Sequence, residues 1–256
     1  MDNWRTAIAT SDATNIWIRG HGIASLMTQG TFADTVFLLH QGRLPNAGER
    51  RLLDAILVAV ADHGSGAPSC ATARLAASGN RQSPSAAVAA GILAIGNEHG
   101  GAGADCMEMI ANGMERATKE SISLEEVARE LVDDAKANHR RIPGLGHRAH
   151  SRDPRTPVLF DMAREVGLAG RGIAFMEALE SQVRAGIKPL PINIDGALAA
   201  VLYDIGFPPA FGMLVFIIGR VAGLTAEVAE EYAREKPMRI HIPVTYDGVP
   251  PREKGK

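Results

Sequence analysis

Helical periodicity dominates this chain of 256 residues, whereas the alternating pattern typical of strands is scarce. In the window 49–63, for example, Leu52, Ile56 and Val60 recur at helical spacing and form one apolar stripe. The window 83–95 is built mainly of alanine and glycine, and these small residues let neighbouring helices approach closely. Aromatic residues, which favour strands, make up only 5% of the sequence. These features predict a predominantly helical fold.

Signals for helix starts and stops divide the chain into consecutive helical segments. Asn46 is placed to cap the helix of residues 49–63, and Ser123 opens a capping-box sequence. Other helices are predicted over residues 20–41 (as helix, turn, helix), 69–77, 83–95, 102–117, 123–139, 156–166, 173–185 and 193–205. Towards the C-terminus two helices are predicted, the first ending at about Gly223 and the second capped by Thr225.

The charge balance and the hydropathy pattern exclude several classes of protein. Lysine and arginine total 27, aspartate and glutamate total 29, and no long basic run precedes the short C-terminal tail, so a nucleic-acid partner is not expected. The most apolar segment, residues 210–218, is nine residues long and predicts a buried helix, because a membrane span needs roughly 20. The first residues lack the pattern of a signal peptide, which predicts a cytoplasmic location.

The cysteines and histidines form no recognisable metal-binding pattern in the sequence. Cys70 and Cys106 stand apart and predict two reduced thiols in or near the core rather than a disulfide framework or a zinc site. His147 and His150 are three residues apart, but the His-Glu-x-x-His pattern is absent. The sequence therefore predicts a protein without a bound metal.

Three short segments, 97–102, 143–148 and 193–196, each place one proton-transfer group among glycines or at a helix start. These groups are His99, His147 and Asp195. They follow one another at intervals of 48 residues (99 to 147 and 147 to 195), so only folding can bring them together. Two imidazoles and one carboxylate beside backbone that a ligand can approach closely indicate acid–base chemistry.

Each of the three groups also has a purely structural interpretation. His99 fits a turn at the start of a helix, and His147 fits a basic surface loop. The functional alternative for the His147 segment is an anion-binding loop followed by arginines. Asp195 fits a helix N-cap. A catalytic role for Asp195 requires burial, because the positive end of a helix dipole alone lowers the pKa of a carboxylate.

Arg220 interrupts a strongly apolar run of residues, 216–222. A buried arginine is costly unless it is paired, so Arg220 is expected to meet either an internal carboxylate or an anionic ligand. His63 similarly ends the apolar face of its helix, directly before Gly64.

Taken in order, these motifs resemble the citrate synthase superfamily, and within it most closely the citryl-CoA lyase modules. The resemblance covers nearly the whole chain and rests on the segments 31–45, 61–63, 69–91, 99–102, 144–155, 193–195 and 219–223. It implies an all-α fold with a large helical domain, residues 1–103 plus 207–256, and a smaller inserted helical domain, residues 104–206. It also implies a homodimer or higher homo-oligomer with the ligand site in the cleft between the domains.

The resemblance assigns roles to individual positions. Asp195 matches the carboxylate that removes a proton from the methyl carbon of acetyl-CoA, and His99 matches the histidine that hydrogen-bonds the thioester oxygen. His147 matches the histidine that acts on the oxaloacetate carbonyl. The matched ligands of the oxaloacetate carboxylates are His63, Arg155 and Arg220. The matched contacts of coenzyme A are Pro143, Gly144, Leu145 and Gly146, with Arg148 and Arg152 as further candidates.

The chain also departs from the usual synthase pattern. It is shorter, mainly at the N-terminus and within the inserted domain, and the basic Arg-Pro-Arg stretch near the C-terminus is replaced by residues 238–243. Arg239 or, as the alternative, His241 is the candidate that takes over its contact with a carboxylate. The compact form favours citryl-CoA lyase activity, whereas the retained His99 keeps a citrate synthase-type condensation open. Another aldol-type cleavage of a CoA thioester and a non-catalytic CoA-binding paralogue remain as alternatives.

Overall fold

The computed structural model describes residues 3–146 and 153–249 of the chain, and its regular structure is almost entirely helical. The helices of these residues are α1 (Ile23–Gln29), α2 (Phe32–Gln41), α3 (Ala47–Ala61), α4 (Pro68–Gly79), α5 (Pro84–Leu93), α6 (Ala102–Glu120), α7 (Leu124–Ala137), α8 (Arg155–Glu165), α9 (Arg171–Gly186), α10 (Ile194–Asp204) and α11 (Phe211–Arg234). The predicted all-α fold is confirmed.

A small sheet precedes the first helix, and the sequence did not indicate it. Its strands β1 (Ala9–Ser11), β2 (Ile16–Ile18) and β3 (His21–Gly22) pair antiparallel in chain order. Strands of two or three residues are too short to show a clear alternation of apolar and polar side chains, which explains why the pattern was missed.

Side-chain caps set several helix starts where the sequence predicts them. The Asn46 side chain accepts a hydrogen bond from the Glu49 amide, and the Glu49 carboxylate accepts one from the Asn46 amide, which gives α3 a complete capping box. At α7, the Ser123 hydroxyl accepts from the Glu126 amide. Both caps satisfy amide groups that have no partner within the helix. The capping box predicted at Ser123 is only half formed, since the Glu126 carboxylate accepts from Arg129 instead.

The prediction of two C-terminal helices is wrong, because α11 runs without a break for 24 residues. Gly223 does not end a helix but lies where α11 meets the end of α3, and a Cβ there would collide with the Ala61 carbonyl oxygen. Thr225 does not cap a new helix, since its hydroxyl donates to the Ala222 carbonyl inside α11. Glycine at position 223 therefore serves close helix packing.

Helix α11 is long and apolar enough, by length and composition alone, to cross a membrane. The predicted nine-residue apolar segment is thus part of a longer helix, and its shortness does not exclude a span. The packing is more informative: α11 lies against α3, α4, α5 and α6 and carries the buried Arg220 near its middle. Of the most apolar 18 residues of α11, 44% are buried, so the prediction of a buried helix is confirmed for its packed face alone.

The larger hydrophobic core surrounds α10, in which every residue from Gly196 to Leu202 is buried. This core extends from α2 and α3 through α6 and α9 to α11, so it crosses the predicted boundaries of the two domains. A second, smaller core joins α4, α5 and α11 through small side chains such as Cys70 and Ala73. The division into residues 1–103 plus 207–256 and residues 104–206 stays a prediction.

Candidate active site

The segment that carries His99 is a tight turn between α5 and α6. The Gly96 and His99 amides each donate to the other's carbonyl, at 2.9 and 2.8 Å, and the Gly101 amide also donates to the Gly96 carbonyl. Gly100 has a φ of +78°, and a Cβ there would collide with the Phe216 ring. The two glycines that follow His99 are therefore needed for the backbone conformation and for the contact with α11.

The His99 side chain lies against the first turn of α4. Its Nε2 is 2.8 Å from the Ser69 hydroxyl, and the Ser69 amide donates to the same nitrogen at 3.3 Å. Because the amide is a donor, Nε2 is the acceptor in that contact. The Phe216 ring meets the imidazole edge to face, with ring centroids 6.0 Å apart. These contacts hold the ring in one orientation.

Arg220 is 1% exposed and reaches the same region from α11. Its Nε donates to the Val60 carbonyl at 2.8 Å, Nη1 lies 3.4 Å from the Ser69 hydroxyl, and Nη2 lies 3.3 Å from His63 Nδ1. The guanidinium also stacks over the Phe216 ring. Within the described residues no carboxylate forms an ion pair with Arg220, so its charge is available to an anionic ligand.

Arg155 is held differently, because a carboxylate of the protein already binds it. Its Nε and Nη2 donate to Asp153 Oδ1 and Oδ2 at 2.9 and 2.8 Å, and Nη1 donates to the Ala59 carbonyl at 3.0 Å. Asp153 is fully buried, whereas the Arg155 side chain keeps 22% of its surface exposed. The guanidinium is thus fixed in place at the first residue of α8.

Asp195 is the second residue of α10 and not its cap. Asn193 caps the helix, since its side chain accepts from the Gly196 amide at 3.1 Å. Among the described residues, the buried Oδ1 of Asp195 has no hydrogen-bond partner. Burial raises the pKa of the Asp195 carboxyl above its ordinary value, the charge of Asp153 adds to the rise, and Arg155 and Arg220 oppose it. The N-cap interpretation of Asp195 is therefore wrong, and burial of the kind that a catalytic base needs is present.

The loop 143–146 is joined to the start of α10 by backbone contacts. The Asn193 amide donates to the Gly144 carbonyl at 3.0 Å, and the Asn193 side chain donates to the Gly146 carbonyl at 2.7 Å. Gly144 has a φ of +81°, and a Cβ there would lie 2.7 Å from the Gly196 Cα. Glycine at 144 thus lets the loop touch the helix turn that carries Asp195.

The structure brings most of the predicted side chains into one region. His99 and Arg220 share Ser69, and Arg220 contacts His63. The charges of Arg155 and Arg220 both act on Asp195, so these three side chains lie near one another. His147, Arg148 and Arg152 lie outside the described residues, so their predicted roles stay predictions.

Arg239 is not brought to this region within the described chain. Its guanidinium forms ion pairs with Glu231 and Glu235, and Glu231 is fully buried and also binds Arg74. Glu231 lies 11 residues after Arg220 along α11, about 16 Å at 1.5 Å per residue. The two acidic partners explain why Arg239 lies at the far end of α11, and its role as a carboxylate ligand stays a prediction.

Three residues near the site were not predicted as functional. Ser69 links His99 to Arg220, Phe216 packs on both, and Asp153 fixes Arg155. Ser69 and Phe216 carry no local signal in the sequence. Asp153 stands two residues before Arg155, and a charged pair at that spacing was the available hint.

One cluster near the site offers three side chains of the kind that bind metals. Ligand atoms of Asp62, Cys70 and Glu227 lie within 4.8 Å of one another. Their atoms already have partners, since the Cys70 thiol donates to Asp62 and Glu227 pairs with Arg74. Burial, with the nearby Asp62, raises the pKa of the Cys70 thiol to about 11, so it is protonated at neutral pH and is a poor metal ligand.

Comparison with models of known protein families identifies the family of this chain. The family model described as "Citrate synthase, C-terminal domain" matches residues 45–241, which is more than half of the chain. The chain belongs to the citrate synthase family. Within the family, 2-methylcitrate synthase 1 from Corynebacterium glutamicum is 30% identical over 240 residues, which cover 91% of this chain and 58% of that protein. The chain spans about half the length of the curated relatives it matches.

Solved structures of citrate synthase-like proteins share the fold. Citryl-CoA lyase from Hydrogenobacter thermophilus superposes with a TM-score of 0.88 at 38% identity, over 98% of this chain and 96% of that chain. ATP citrate lyase from Methanothrix soehngenii, solved in complex with citrate and coenzyme A, superposes with a TM-score of 0.76 over 96% of this chain and 42% of that chain. Its 19% identity supports the shared citrate synthase-like fold alone.

Proposed function

We propose that this chain is a citryl-CoA lyase-type enzyme, which cleaves or forms the C–C bond between acetyl-CoA and oxaloacetate. The observation that carries the proposal is the Asp195 carboxyl, whose buried Oδ1 has no hydrogen-bond partner among the described residues and which feels the charges of Arg155 and Arg220. The 38% identity to a citryl-CoA lyase over nearly the full length of both chains supports the lyase direction.

Enolate chemistry needs a base and a hydrogen-bond donor that act together. The α-carbon of a thioester is a very weak acid, so a carboxylate removes its proton only where a fixed donor stabilises the developing enolate oxygen. Asp195 is the proposed base, and its raised pKa makes it a stronger base than an ordinary aspartate. His99 is the proposed donor, held in one orientation by Ser69 and Phe216.

In the direction of cleavage, the proton transfers reverse. His147 is proposed to take the proton of the citryl hydroxyl, and the hydroxyl oxygen then forms the ketone of oxaloacetate as the C–C bond breaks. The electron pair of that bond passes to the acetyl group as the enolate of acetyl-CoA. Protonated Asp195 then donates its proton to the enolate carbon, which gives acetyl-CoA and an ionised Asp195.

The cations of the site fit a dicarboxylate substrate. Arg220 is buried without a carboxylate partner among the described residues, and a substrate carboxylate would supply the missing negative charge. His63 lies against the same guanidinium, and Arg155, whose side chain is partly exposed, provides a second cation that acts on Asp195. We assign the oxaloacetate carboxylates to these three side chains.

A citrate synthase-type reaction is the second candidate. The same condensation followed by hydrolysis of the thioester would release CoA and citrate, or a related acid, and the 30% identity to 2-methylcitrate synthase 1 favours this alternative. Another aldol-type cleavage of a CoA thioester would use the same groups. A non-catalytic CoA-binding paralogue is the remaining alternative, and the raised pKa of the Asp195 carboxyl argues against it.

Further features are part of the proposal. The coenzyme A thioester is a substrate and contacts the loop of Pro143, Gly144, Leu145 and Gly146, with Arg148 and Arg152 nearby. The partners are small molecules, the chain forms a homodimer or higher homo-oligomer in the cytoplasm, and it needs no metal, nucleic acid or membrane. The coenzyme A contacts and the oligomer follow the family resemblance, and the other features follow the charge, hydropathy and Cys/His patterns of the sequence. Coenzyme A and citrate are the ligands of the ATP citrate lyase structure.

The decisive experiment offers the purified protein citryl-CoA and, separately, acetyl-CoA with oxaloacetate, and identifies the products. Release of oxaloacetate and acetyl-CoA from citryl-CoA supports the lyase, whereas free CoA with citrate supports the synthase. Asp195→Asn should lower turnover by about 10²–10⁴-fold while oxaloacetate binding, measured by calorimetry, persists. Asp54→Asn, at an exposed position of α3, is the control. Unchanged turnover in Asp195→Asn would refute all the enzymatic alternatives.

A further inference from the structure

A buried carboxylate without a role in the proposed proton transfers joins two of the elements that form the site. Asp153 is fully buried. Its Oδ1 accepts hydrogen bonds from the amide and Nε of Arg155, at 3.1 and 2.9 Å. Its Oδ2 accepts from Arg155 Nη2 at 2.8 Å and from the Ile194 amide at 3.1 Å. Each carboxylate oxygen thus binds two donors.

These contacts link the start of α8 to the start of α10. Arg155 is the first residue of α8, and Ile194 is the first residue of α10 and directly precedes Asp195. We propose that Asp153 is a positioning residue, which fixes the Arg155 guanidinium for a substrate carboxylate and the helix start that carries the base. This inference rests on the proposed function, because it assigns a role in the same reaction.

Asp153 also contributes a fixed negative charge beside Asp195. Burial tends to raise the pKa of Asp153, but the hydrogen bonds and charge of Arg155, with the Ile194 amide, hold that pKa below its ordinary value. Asp153 is therefore ionised at neutral pH. Its charge favours the protonated form of Asp195, and Arg155 and Arg220 favour the ionised form.

The charged and titratable groups around Asp195 determine how its pKa changes when the negative charge of Asp153 is removed. Among the described residues they are Asp153 and Arg155 from the start of α8, Arg220 from α11 and the Cys106 thiol from α6. Burial raises the pKa of Cys106 far above neutrality, so the thiol stays uncharged. The only negative charge in this set is that of Asp153.

Asp153→Asn tests the proposal because it keeps the size of the side chain and removes the charge. The two-pronged pairing with Arg155 is lost, although the contact of Nη1 with the Ala59 carbonyl keeps the guanidinium nearby. We expect the KM for oxaloacetate, or for citryl-CoA in cleavage, to rise about 10-fold or more, since small misplacements of a binding group cost up to about 100-fold. The limb of the pH–rate profile assigned to Asp195 should move to lower pH.

That shift has the same sign in both directions of the reaction. In condensation, Asp195 must be ionised, so a lower pKa extends activity to lower pH. In cleavage, Asp195 must be protonated, so activity is lost as pH rises through its pKa. A lower pKa moves this loss to lower pH. A residue that only supports the fold would change the amount of active enzyme and leave the position of the limb unchanged.

Asp204→Asn is the matched control. Asp204 is a partly buried carboxylate that accepts from the amides of Gly170, Gly172 and Ile173 and so caps α9. It contacts no described residue of the site, and its replacement should lower stability without moving KM or the pH limb. Amide hydrogen exchange provides a readout that does not depend on activity: Asp153→Asn should speed exchange at Ile194 about 10-fold, and Asp204→Asn should speed it at Gly172 instead.

The outcomes separate this inference from the proposed function. If wild-type protein turns over neither citryl-CoA nor acetyl-CoA with oxaloacetate, the proposed function fails, and hydrogen exchange alone decides whether Asp153 fixes the start of α10. If wild-type protein is active but Asp153→Asn matches Asp204→Asn in KM and pH limb, the positioning role is refuted. Where Asp153→Asn does not fold, Asp153→Ser, which is smaller and still offers an oxygen acceptor, takes its place in the same measurements.

Discussion

A carboxylate at a helix start could either cap the helix or act as a catalytic base. At the start of α10 two different residues are available for these roles. Asn193 takes the capping task, and this leaves Asp195 free to face the site with one oxygen lacking a hydrogen bond among the described residues. At a solvated helix start the dipole would lower the pKa of Asp195, whereas burial here raises it. The residue therefore carries a cost in stability, as expected for a group kept for chemistry.

Asp195→Asn should raise the melting temperature at pH 7. The folded protein holds the Asp195 proton more tightly than the unfolded chain, where the pKa is near 3.8. Stability therefore falls as pH rises from that value through the raised pKa of the folded state, and the penalty is fully present above it. Thermal unfolding at several pH values should show the advantage of Asp195→Asn shrinking towards pH 4. A wild-type protein more stable than Asp195→Asn at pH 7, beside an unchanged Asp54→Asn control, would contradict the argument.

At the scale of elements, the sequence predicted helices well where local chemistry sets their ends. Asn46 caps α3 and Ser123 caps α7 through contacts within three residues, so the information is local. The prediction of a helix break near Gly223 failed because glycine is needed there for a different reason. It leaves room for the Ala61 carbonyl, which is distant in sequence. A glycine in the sequence can indicate either a helix end or close packing against a distant segment. Only the folded structure distinguishes the two cases.

Gly223→Ala should destabilise the protein although alanine is the better helix former. The gain in helix propensity is about 1 kcal/mol, but the added Cβ would meet the Ala61 carbonyl and the Asp62 carboxylate, and overpacking of this kind costs roughly 1–3 kcal/mol or more. Because the collision is with a backbone carbonyl, we expect a cost at the upper end of this range and a net loss of about 2 kcal/mol in urea unfolding. Gly186→Ala is the control, since its nearest neighbour would be 3.8 Å away. Equal stability of the two variants would show that the α3–α11 contact relaxes freely.

At the scale of the whole molecule, the site combines segments from both predicted domains. His99 and Arg220 come from residues 1–103 plus 207–256, whereas Arg155 and Asp195 come from residues 104–206. No single window of sequence contains this arrangement, and each local window left His99 and Asp195 with a structural interpretation beside the catalytic one. Only the ordered set of motifs predicted that these residues meet, because the resemblance includes the fold that brings them together.

The continuous core predicts one cooperative unfolding transition. Buried side chains of α3, α6, α10 and α11 belong to the same hydrophobic cluster, and Arg155 ties α8 to α3 through the Ala59 carbonyl. Differential scanning calorimetry should therefore give a single peak at each protein concentration. Oxaloacetate at 100 times its Kd should stabilise the whole protein by about 2.7 kcal/mol and shift that peak without splitting it, because its arginine ligands come from both segments. Two peaks, of which oxaloacetate moves only one, would show that the predicted domains unfold independently and that one of them binds the ligand alone.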